Sequence, residues 1–160
     1  MERLDKIYQH PLWKLQIEQL KQAETNRIYC CHGIEHLLDV ARIAYIENIE
    51  NNYGISKEII YATALLHDIG RYIQYQTGIA HGQAGLDLAS IILKDCYFDF
   101  NERNEILSAI LNHNNKDVKE EKNLKGLLYR ADKQSRMCMF CNAVHSCKWS
   151  EDKKNHQIKI

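Results

Sequence analysis

A histidine followed directly by an aspartate, His67-Asp68, is the most informative chemical feature of this 160-residue chain. The pair ends an apolar run over residues 59–66. A carboxylate is almost never fully buried unless it is paired with a cation or bound to a metal. Imidazole and carboxylate groups are also good ligands for a divalent metal that activates water. The pair therefore predicts a buried metal site whose remaining ligands come from elsewhere in the chain.

Further candidate ligands lie on both sides of the pair. His36 precedes it, and His81, His113 and Asp132 follow it. Neutral imidazole and ionised carboxylate suit Zn, Mn, Fe, Co or Ni better than Ca. We therefore expect a divalent transition metal as the cofactor, with either one or two ions.

The order H…HD…H…H…D resembles that of the HD-domain metal-dependent phosphohydrolase superfamily, over about residues 27–136. The matching motifs are H-x-x-x-V-A at His36, L-L-H-D-I-G-R at His67-Asp68, H-G-x-x-G at His81, A-I-L-N-H-N at His113 and Y-R-A-D-K at Asp132. Five elements in this order are fairly specific for the superfamily and much less specific for a substrate.

The resemblance implies a role for each of the six ligands. One metal site, with open positions for water and substrate, would be made by His36, His67, Asp68 and Asp132. His81 and His113 fit members that hold a second metal, in which Asp68 would bridge the two ions. The alternative for these two histidines is contact with a phosphate or with a metal-bound water. Two such ions can clamp the attacking and leaving oxygens of an in-line displacement.

Basic residues near the predicted ligands are candidates for binding phosphate. Arg71 stands where superfamily members often place a basic residue, and we predict that it holds a phosphate oxygen or stabilises the leaving group. Arg71 and Asp68 are thus the candidate catalytic residues. Further substrate contacts are predicted for Lys133 and Arg136, which follow the last aspartate, and for His32, one helical turn before the first ligand. Each of these three could equally be a surface residue without a catalytic role.

Three of the six cysteines follow the last predicted ligand closely, at Cys138, Cys141 and Cys147. The C-x2-C spacing fits zinc or iron–sulfur ligation. The fourth ligand of such a site could be Cys30, Cys31 or His145. The alternative is a set of free thiols in a packed C-terminal segment. Because the N-terminus shows no secretion signal, we expect reduced thiols and not a disulfide framework.

Composition excludes several classes of protein. A hydrophobic content of 45% fits one globular domain with a sizeable core. Lys+Arg and Asp+Glu each number 21, and this balance argues against binding nucleic acid or membranes through charge. No run approaches the length of a transmembrane helix, and no signal-peptide pattern is present. We expect a cytoplasmic protein with a small phosphorylated substrate; a homodimer is compatible with this composition.

The chain must position these residues with helices, because it has one proline and helical periodicity nearly throughout. We predict an all-α fold, a single-domain HD-type bundle of about six helices. The helices are expected over 10–24, 33–50, 57–68, 82–95, 101–113 and 123–137. Residues 71–80 are expected to form a loop. The chain would divide into an N-terminal helical lead-in (1–26), the HD hydrolase core (27–137) and a Cys-rich C-terminal segment with its tail (138–160).

The resemblance implies hydrolysis of a phosphoester or phosphoanhydride bond in a small nucleotide-type substrate by metal-activated water. The layout is closest to the symmetrical diadenosine tetraphosphate hydrolases, through L-L-H-D, H-G-x-x-G and A-I-x-x-H. Two features depart from that branch: Asn114-Asn115-Lys116 follows His113, and no acidic-proline step follows Asp132. Two alternatives stay open, a di-iron oxygenase of the same fold and a non-catalytic module that binds a nucleotide or metal.

Overall fold

The computed structural model describes residues 1–158, and these residues form α-helices, short 3-10 turns and loops without a strand. The helices are α1 (Glu2–Gln9), α2 (Pro11–Ala23), α3 (Ile34–Glu50), α4 (Lys57–Leu66), α5 (Arg71–Thr77), α6 (His81–Ala84), α7 (Leu86–Asp95), α8 (Phe100–Asn112) and α9 (Leu124–Gln134). The predicted all-α, single-domain fold is confirmed. No helix among residues 1–158 is both long and apolar enough to span a bilayer.

Helix α4 is the centre of the bundle. Seven of its ten residues are buried, in the run 59–66 apart from Tyr61. A helix that is apolar on all sides must be covered on all sides, and α4 packs against α1, α3, α8 and α9. The helix ends at Leu66, so it delivers His67 and Asp68 into the middle of the protein.

The N-terminal helices belong to this packing. On α1, Arg3 forms ion pairs with Glu58 of α4 at 2.7 Å and with Glu102 of α8 at 2.6 Å. On α2, the indole Nε1 of Trp13 donates to the carbonyl of Leu65 at 2.9 Å. The sequence analysis expected one helix over 10–24 and did not predict α1. The break between α1 and α2 falls at His10, which precedes the helix-starting proline Pro11.

A glycine brings the segment after the His-Asp pair against α6. A Cβ atom on Gly70 would lie 2.2 Å from the carbonyl oxygen of His81 and 2.4 Å from the backbone nitrogen of Gly85. Only glycine permits this approach, which places His81 beside Asp68. The predicted loop over 71–80 is wrong: residues 71–77 form α5, which ends at Gly78 with φ 77°.

One predicted helix start is corrected and one predicted helix end is confirmed. Helix α8 begins at Phe100, one residue before the predicted range, because Asp99 and Glu102 form a reciprocal capping box. Helix α3 ends at Glu50 as predicted, and Asn52 follows it in the left-handed region at φ 55°. Asparagine is the residue other than glycine that most readily takes this conformation.

The C-terminal segment after α9 is irregular, as expected from its sequence. Its regular structure consists of 3-10 turns at Cys138–Phe140 and Glu151–Lys153. The amide of Asn155 reaches three carbonyl oxygens at the end of α9, those of Lys133, Gln134 and Arg136, at 2.8–3.2 Å. These contacts dock the segment and satisfy carbonyl groups that a helix end leaves free.

Candidate metal centre

The six predicted ligands converge from five parts of the bundle. They come from α3 (His36), the turn after α4 (His67 and Asp68), the start of α6 (His81), the turn after α8 (His113) and α9 (Asp132). They form two groups, and within each group the potential ligand atoms all lie within 4.8 Å of one another: His36, His67 and Asp132, and Asp68, His81 and His113.

The three residues of the first group and Asp68 of the second point four donor atoms toward one position. The Nε2 atom of His36 lies 3.4 Å from Asp132 Oδ1 and 3.5 Å from Asp68 Oδ2. The Nε2 atom of His67 lies 3.4 Å from the same Asp68 oxygen. These two nitrogens and Asp68 Oδ2 are buried without a hydrogen-bond partner. Leaving a buried polar atom unpaired costs about 1–3 kcal/mol, and a metal ion would satisfy all three. The residues therefore fit a divalent metal.

The second nitrogen of each imidazole is fixed by an oxygen acceptor. Nδ1 of His67 donates to the carbonyl of Ala64 at 2.8 Å, and His113 makes the same contact with Ile110 at 2.5 Å. Gln74 Oε1 lies 2.8 Å from Nδ1 of His81. Such bonds select the tautomer in which the Nε2 lone pair is available to a metal.

A serine performs this role for the remaining histidine. The hydroxyl of Ser135 donates to the carbonyl of Asp132 at 2.8 Å, so its oxygen is free to accept from Nδ1 of His36 at 3.2 Å. One hydroxyl thus connects a ligand on α3 with a ligand on α9. The sequence analysis did not identify Ser135, because a serine at the end of a helix carries no signal of its own.

The second group shares Asp68 with the first. The other carboxylate oxygen, Oδ1, lies 3.2 Å from Nε2 of His81 and 3.9 Å from Nε2 of His113. The polar atoms of this group have hydrogen-bond partners within the protein. The amide nitrogen of Asn114 lies 2.9–3.0 Å from Nε2 of both imidazoles, and Arg71 donates to Asp68 Oδ1 at 2.9 Å. The unpaired atoms thus mark the first group as the stronger metal site.

The electrostatics favour ionised carboxylates. Burial raises the pKa of Asp68, but the neighbouring His67 and His36 lower it well below its ordinary value. Burial also raises the pKa of Asp132, but the facing imidazole of His36 and the charge of Lys133 outweigh this effect. Both carboxyl groups are therefore anionic at neutral pH, which is the state in which a carboxylate binds a metal.

His36 differs in protonation from the histidines of the second group. Burial lowers the pKa of His36, but the facing carboxylates of Asp132 and Asp68 raise it to about 9. Burial lowers the pKa of His81 to about 3 and that of His113 to about 4. His81 and His113 are thus ready to act as neutral ligands, whereas His36 would release a proton on binding a metal.

A cavity of about 470 Å³ adjoins the ligands and is strongly basic. It is lined by Arg27, Tyr29, Cys30, His32, Arg71, Asn114, Arg136, Cys138, Cys147, Lys148 and Trp149. Four of these side chains are cations and none is a carboxylate. The guanidinium of Arg136 stacks on the indole of Trp149, 3.7 Å from the ring centroid, and lies 3.8 Å from Asp132 Oδ2. The cavity suits an anionic ligand with a planar part.

Three of the four predicted substrate-binding residues line the cavity, and one does not. Arg71, Arg136 and His32 line the cavity. Lys133 does not; its ammonium contacts Asp132 Oδ2 and donates to Asn114 Oδ1 at 3.0 Å. It therefore lies beside the ligands and not in the cavity wall.

A buried glutamate that sequence reasoning missed holds His32 in place. Glu24 accepts hydrogen bonds from the backbone and from Nδ1 of His32, at 2.8 and 2.5 Å, and from the hydroxyl of Tyr75 at 2.6 Å. Burial raises the pKa of Glu24, but the bonds from His32 and Tyr75 lower it to about 2. The ring of His32 lies edge-on to that of His36, with centroids 5.8 Å apart. No spacing rule links these three positions.

Comparisons with known proteins identify the family. The HD domain family model matches residues 33–137, a range that contains all six candidate ligands. This match covers more than half of the chain, which therefore belongs to the HD-domain family. The resemblance noted from the motifs is confirmed at this level, and the family supports a divalent metal at the His/Asp groups.

Two relatives extend this result. An uncharacterized protein of Clostridium beijerinckii is 39% identical over 158 residues, which cover 99% of each chain. The crystal structure of a predicted HD superfamily hydrolase from an uncultured Thermotogales bacterium matches with a TM-score of 0.65 and 22% identity. That match covers 92% of this chain and 81% of the other, and it shows that the two share a fold.

Proposed function

We propose that this protein is a metal-dependent phosphohydrolase that cleaves a phosphoester or phosphoanhydride bond in a small nucleotide-type substrate. One observation carries the proposal: three unpaired, buried donor atoms lie together on His36, His67 and Asp68, and Arg71, which donates to Asp68, also lines a cavity whose charged side chains are all cations. An ion bound by these donors would activate water for attack on phosphorus. The cavity supplies the charge that a phosphate needs.

The arginines that line the cavity would bind different parts of the substrate. Arg71 lies next to the ligands, and its planar guanidinium can hold two phosphate oxygens at once. Arg136 and Arg27 line the same cavity farther along and can neutralise a second phosphate or the departing oxygen. Preorganised cations of this kind stabilise charge that develops in the transition state without reorganising at that moment.

The aromatic residues of the cavity support a nucleotide over inorganic phosphate. Trp149 and Tyr29 both line it, and each offers a flat apolar surface. Bases stack on such side chains with a contribution of about 1–3 kcal/mol each. Symmetrical dinucleoside polyphosphates, nucleoside monophosphates and cyclic nucleotides are all candidates within this class.

A di-iron oxygenase is the second candidate function. Asp68 directs one carboxylate oxygen toward each of the two ligand groups, and such a carboxylate can bridge two irons. The cationic cavity favours the phosphohydrolase. Iron content together with oxygen uptake in the presence of candidate organic substrates would support the oxygenase. Phosphate release without oxygen uptake would support the hydrolase.

The test uses protein purified without chelator and loaded with Mn²⁺, assayed for phosphate release on a nucleotide panel. Asp68→Ala should abolish metal binding and activity, because it removes a ligand from both groups, and should leave the helical circular dichroism largely intact. Asp87→Ala is the matched control, since Asp87 is an exposed aspartate on α7. Full metal content and activity in Asp68→Ala would refute the assignment of the site.

A further inference from the structure

The segment after α9 has little apolar burial to hold it. Among residues 138–158, Ala143 is the one buried apolar side chain, while the polar Lys154 and Asn155 are also buried. Fixing one residue costs about 1–2 kcal/mol of backbone entropy, and the burial of one alanine cannot offset that for twenty residues. Small segments of this kind are commonly held by disulfides or metals. This segment nevertheless forms one wall of the catalytic cavity.

Cysteines from two distant parts of the chain meet at that wall. Cys30, between α2 and α3, lines the cavity together with Cys138 and Cys147. Burial raises the pKa of the Cys30 thiol, Arg136 lowers it, and the nearby Cys138 and Cys141 raise it. The two segments also touch directly, because the hydroxyl of Tyr29 donates to the carbonyl of Ser146 at 3.3 Å.

The structure selects the fourth thiol from the candidates that the sequence left open. The Sγ atom of Cys31 turns back to the carbonyl of Tyr29, at 3.7 Å, and does not line the cavity. His145 is exposed and does not line it either. Cys96 is buried in the apolar core. Cys141 does not line the cavity, but it lies close enough to Cys30 to raise the pKa of that thiol. Cys30 is therefore the partner of the C-x2-C-x5-C motif.

The spacing of the thiols does not suit a single zinc ion. Zn–S bonds of about 2.3 Å place tetrahedral ligands within about 4 Å of one another. Among residues 1–158, no cysteine belongs to a group of three potential metal ligands within 4.8 Å. In an iron–sulfur cluster the thiolates bind different irons, with sulfide between them, and so surround a larger volume. Cys30, Cys138 and Cys147 border a cavity and do not close on one point, which matches this second arrangement.

Cations accompany the thiols, as a negatively charged cluster requires. Arg136 acts on Cys30, and Lys148 lines the same cavity. The pKa of Lys154 is raised, first by its hydrogen bond to Glu151 and also by the thiols of Cys147 and Cys138. Four thiolates carry more negative charge than a cluster core offsets, and nearby cations stabilise the assembly and set its potential.

We propose that Cys30, Cys138, Cys141 and Cys147 hold an iron–sulfur cluster that fastens the C-terminal segment to the loop before α3. The cluster forms the outer wall of the catalytic cavity and fixes Arg136 and Trp149 in it. This site is separate from the His/Asp groups, and it stands whether or not the protein proves to be a phosphohydrolase.

The experiment uses the full chain, purified without oxygen and reconstituted with ferrous iron and sulfide. Acid-labile sulfide per chain is the decisive readout, because neither a zinc ion nor the catalytic metal contains sulfide. We expect about two or about four sulfides per chain, according to cluster type, with a visible absorption band that dithionite bleaches. Cys30→Ser and Cys138→Ser should each lose most of this sulfide.

Two control variants separate the cluster from its surroundings. Cys31→Ser changes the neighbouring thiol and should keep the sulfide, and Asp68→Ala should lose the catalytic metal and keep the sulfide. Absence of sulfide from the reconstituted wild type, or one zinc ion in its place, would overturn the proposal. Equal loss in Cys31→Ser and Cys30→Ser would overturn the choice of ligands. Because the wild-type sulfide content decides the main point, unfolding of a variant would not hide the answer.

Discussion

His36 and Asp132, on helices α3 and α9, face each other with Nε2 and Oδ1 3.4 Å apart. This pairing, with Asp68 alongside, raises the pKa of His36 to about 9 even though burial acts in the opposite direction. In the metal-free protein His36 is consequently an imidazolium at neutral pH. The same nitrogen must be deprotonated to bind a metal.

Metal binding should therefore release about one proton per first ion bound at pH 7.5. Calorimetric titration of the metal-free protein with Mn²⁺, in buffers of different ionisation enthalpy, measures this number. Proton release should disappear as the pH rises above about 9, where His36 is already neutral. Binding without proton release at pH 7.5 would contradict the assigned pairing.

Arg71→Ala should lower kcat/KM for the phosphorylated substrate by about 10²–10³-fold, the loss expected when one charge-stabilising donor is removed. Metal content should stay near the wild-type value, because Arg71 contacts Asp68 but is not a ligand. Arg71→Lys should recover part of the activity, since it restores the charge and not the planar fork. Arg42→Ala, at an exposed arginine on α3, serves as control. Wild-type kinetics in Arg71→Ala would exclude Arg71 from the site.

Gly70→Ala should destabilise the protein by about 3 kcal/mol or more, because the added Cβ meets backbone atoms of His81 and Gly85 that cannot move independently. Gly54→Ala is the comparison: its Cβ meets nothing within 4 Å, and only its φ of 73° is unfavourable. We expect a cost of about 1 kcal/mol there. Urea denaturation followed by circular dichroism measures both. Equal losses would show that α6 can shift away from Gly70.

Glu24→Gln should lower the free energy of unfolding by about 3 kcal/mol at pH 7, since the pKa of Glu24 falls from 4.5 to about 2 on folding. A depressed pKa means that this stabilisation is present above about pH 4.5 and is lost as the pH falls toward 2. The difference between wild type and variant should therefore shrink as the pH is lowered through that window.

Glu18→Gln, at an exposed glutamate on the same helix, should show little effect at either pH. Urea denaturation at pH 7 and pH 3 is the measurement. A wild-type advantage that stays constant between the two values would show that the carboxylate charge of Glu24 is not the source of the stabilisation.

Sequence predicted those parts of this structure that depend on periodicity and motif order. The apolar run before His67 could only be a buried helix or strand, and the scarcity of proline and glycine favoured the helix. The six candidate ligands were found because each stands in a motif. What could not be predicted depends on contacts between distant residues: Ser135 joining two ligands, Glu24 orienting His32, and the choice of Cys30 among the three candidate partners of the C-terminal cysteines.

Helix boundaries failed for local reasons. The segment 71–80 was predicted to be a loop, yet the seven residues between Gly70 and Gly78 suffice for about two helical turns. Helix α8 begins at Phe100, one residue earlier than predicted, because Asp99 has a glutamate three residues later and Asn101 does not.

Asp68 divides its two carboxylate oxygens between the donor groups, one oxygen facing His36 and His67 and the other facing His81 and His113. Both groups therefore draw on a single negative charge. An ion held by one oxygen would withdraw electron density from that carboxylate and leave a weaker ligand for a second ion, so two affinities would be linked by negative cooperativity. A substitution that changes the donors of one group would then alter the affinity of the other.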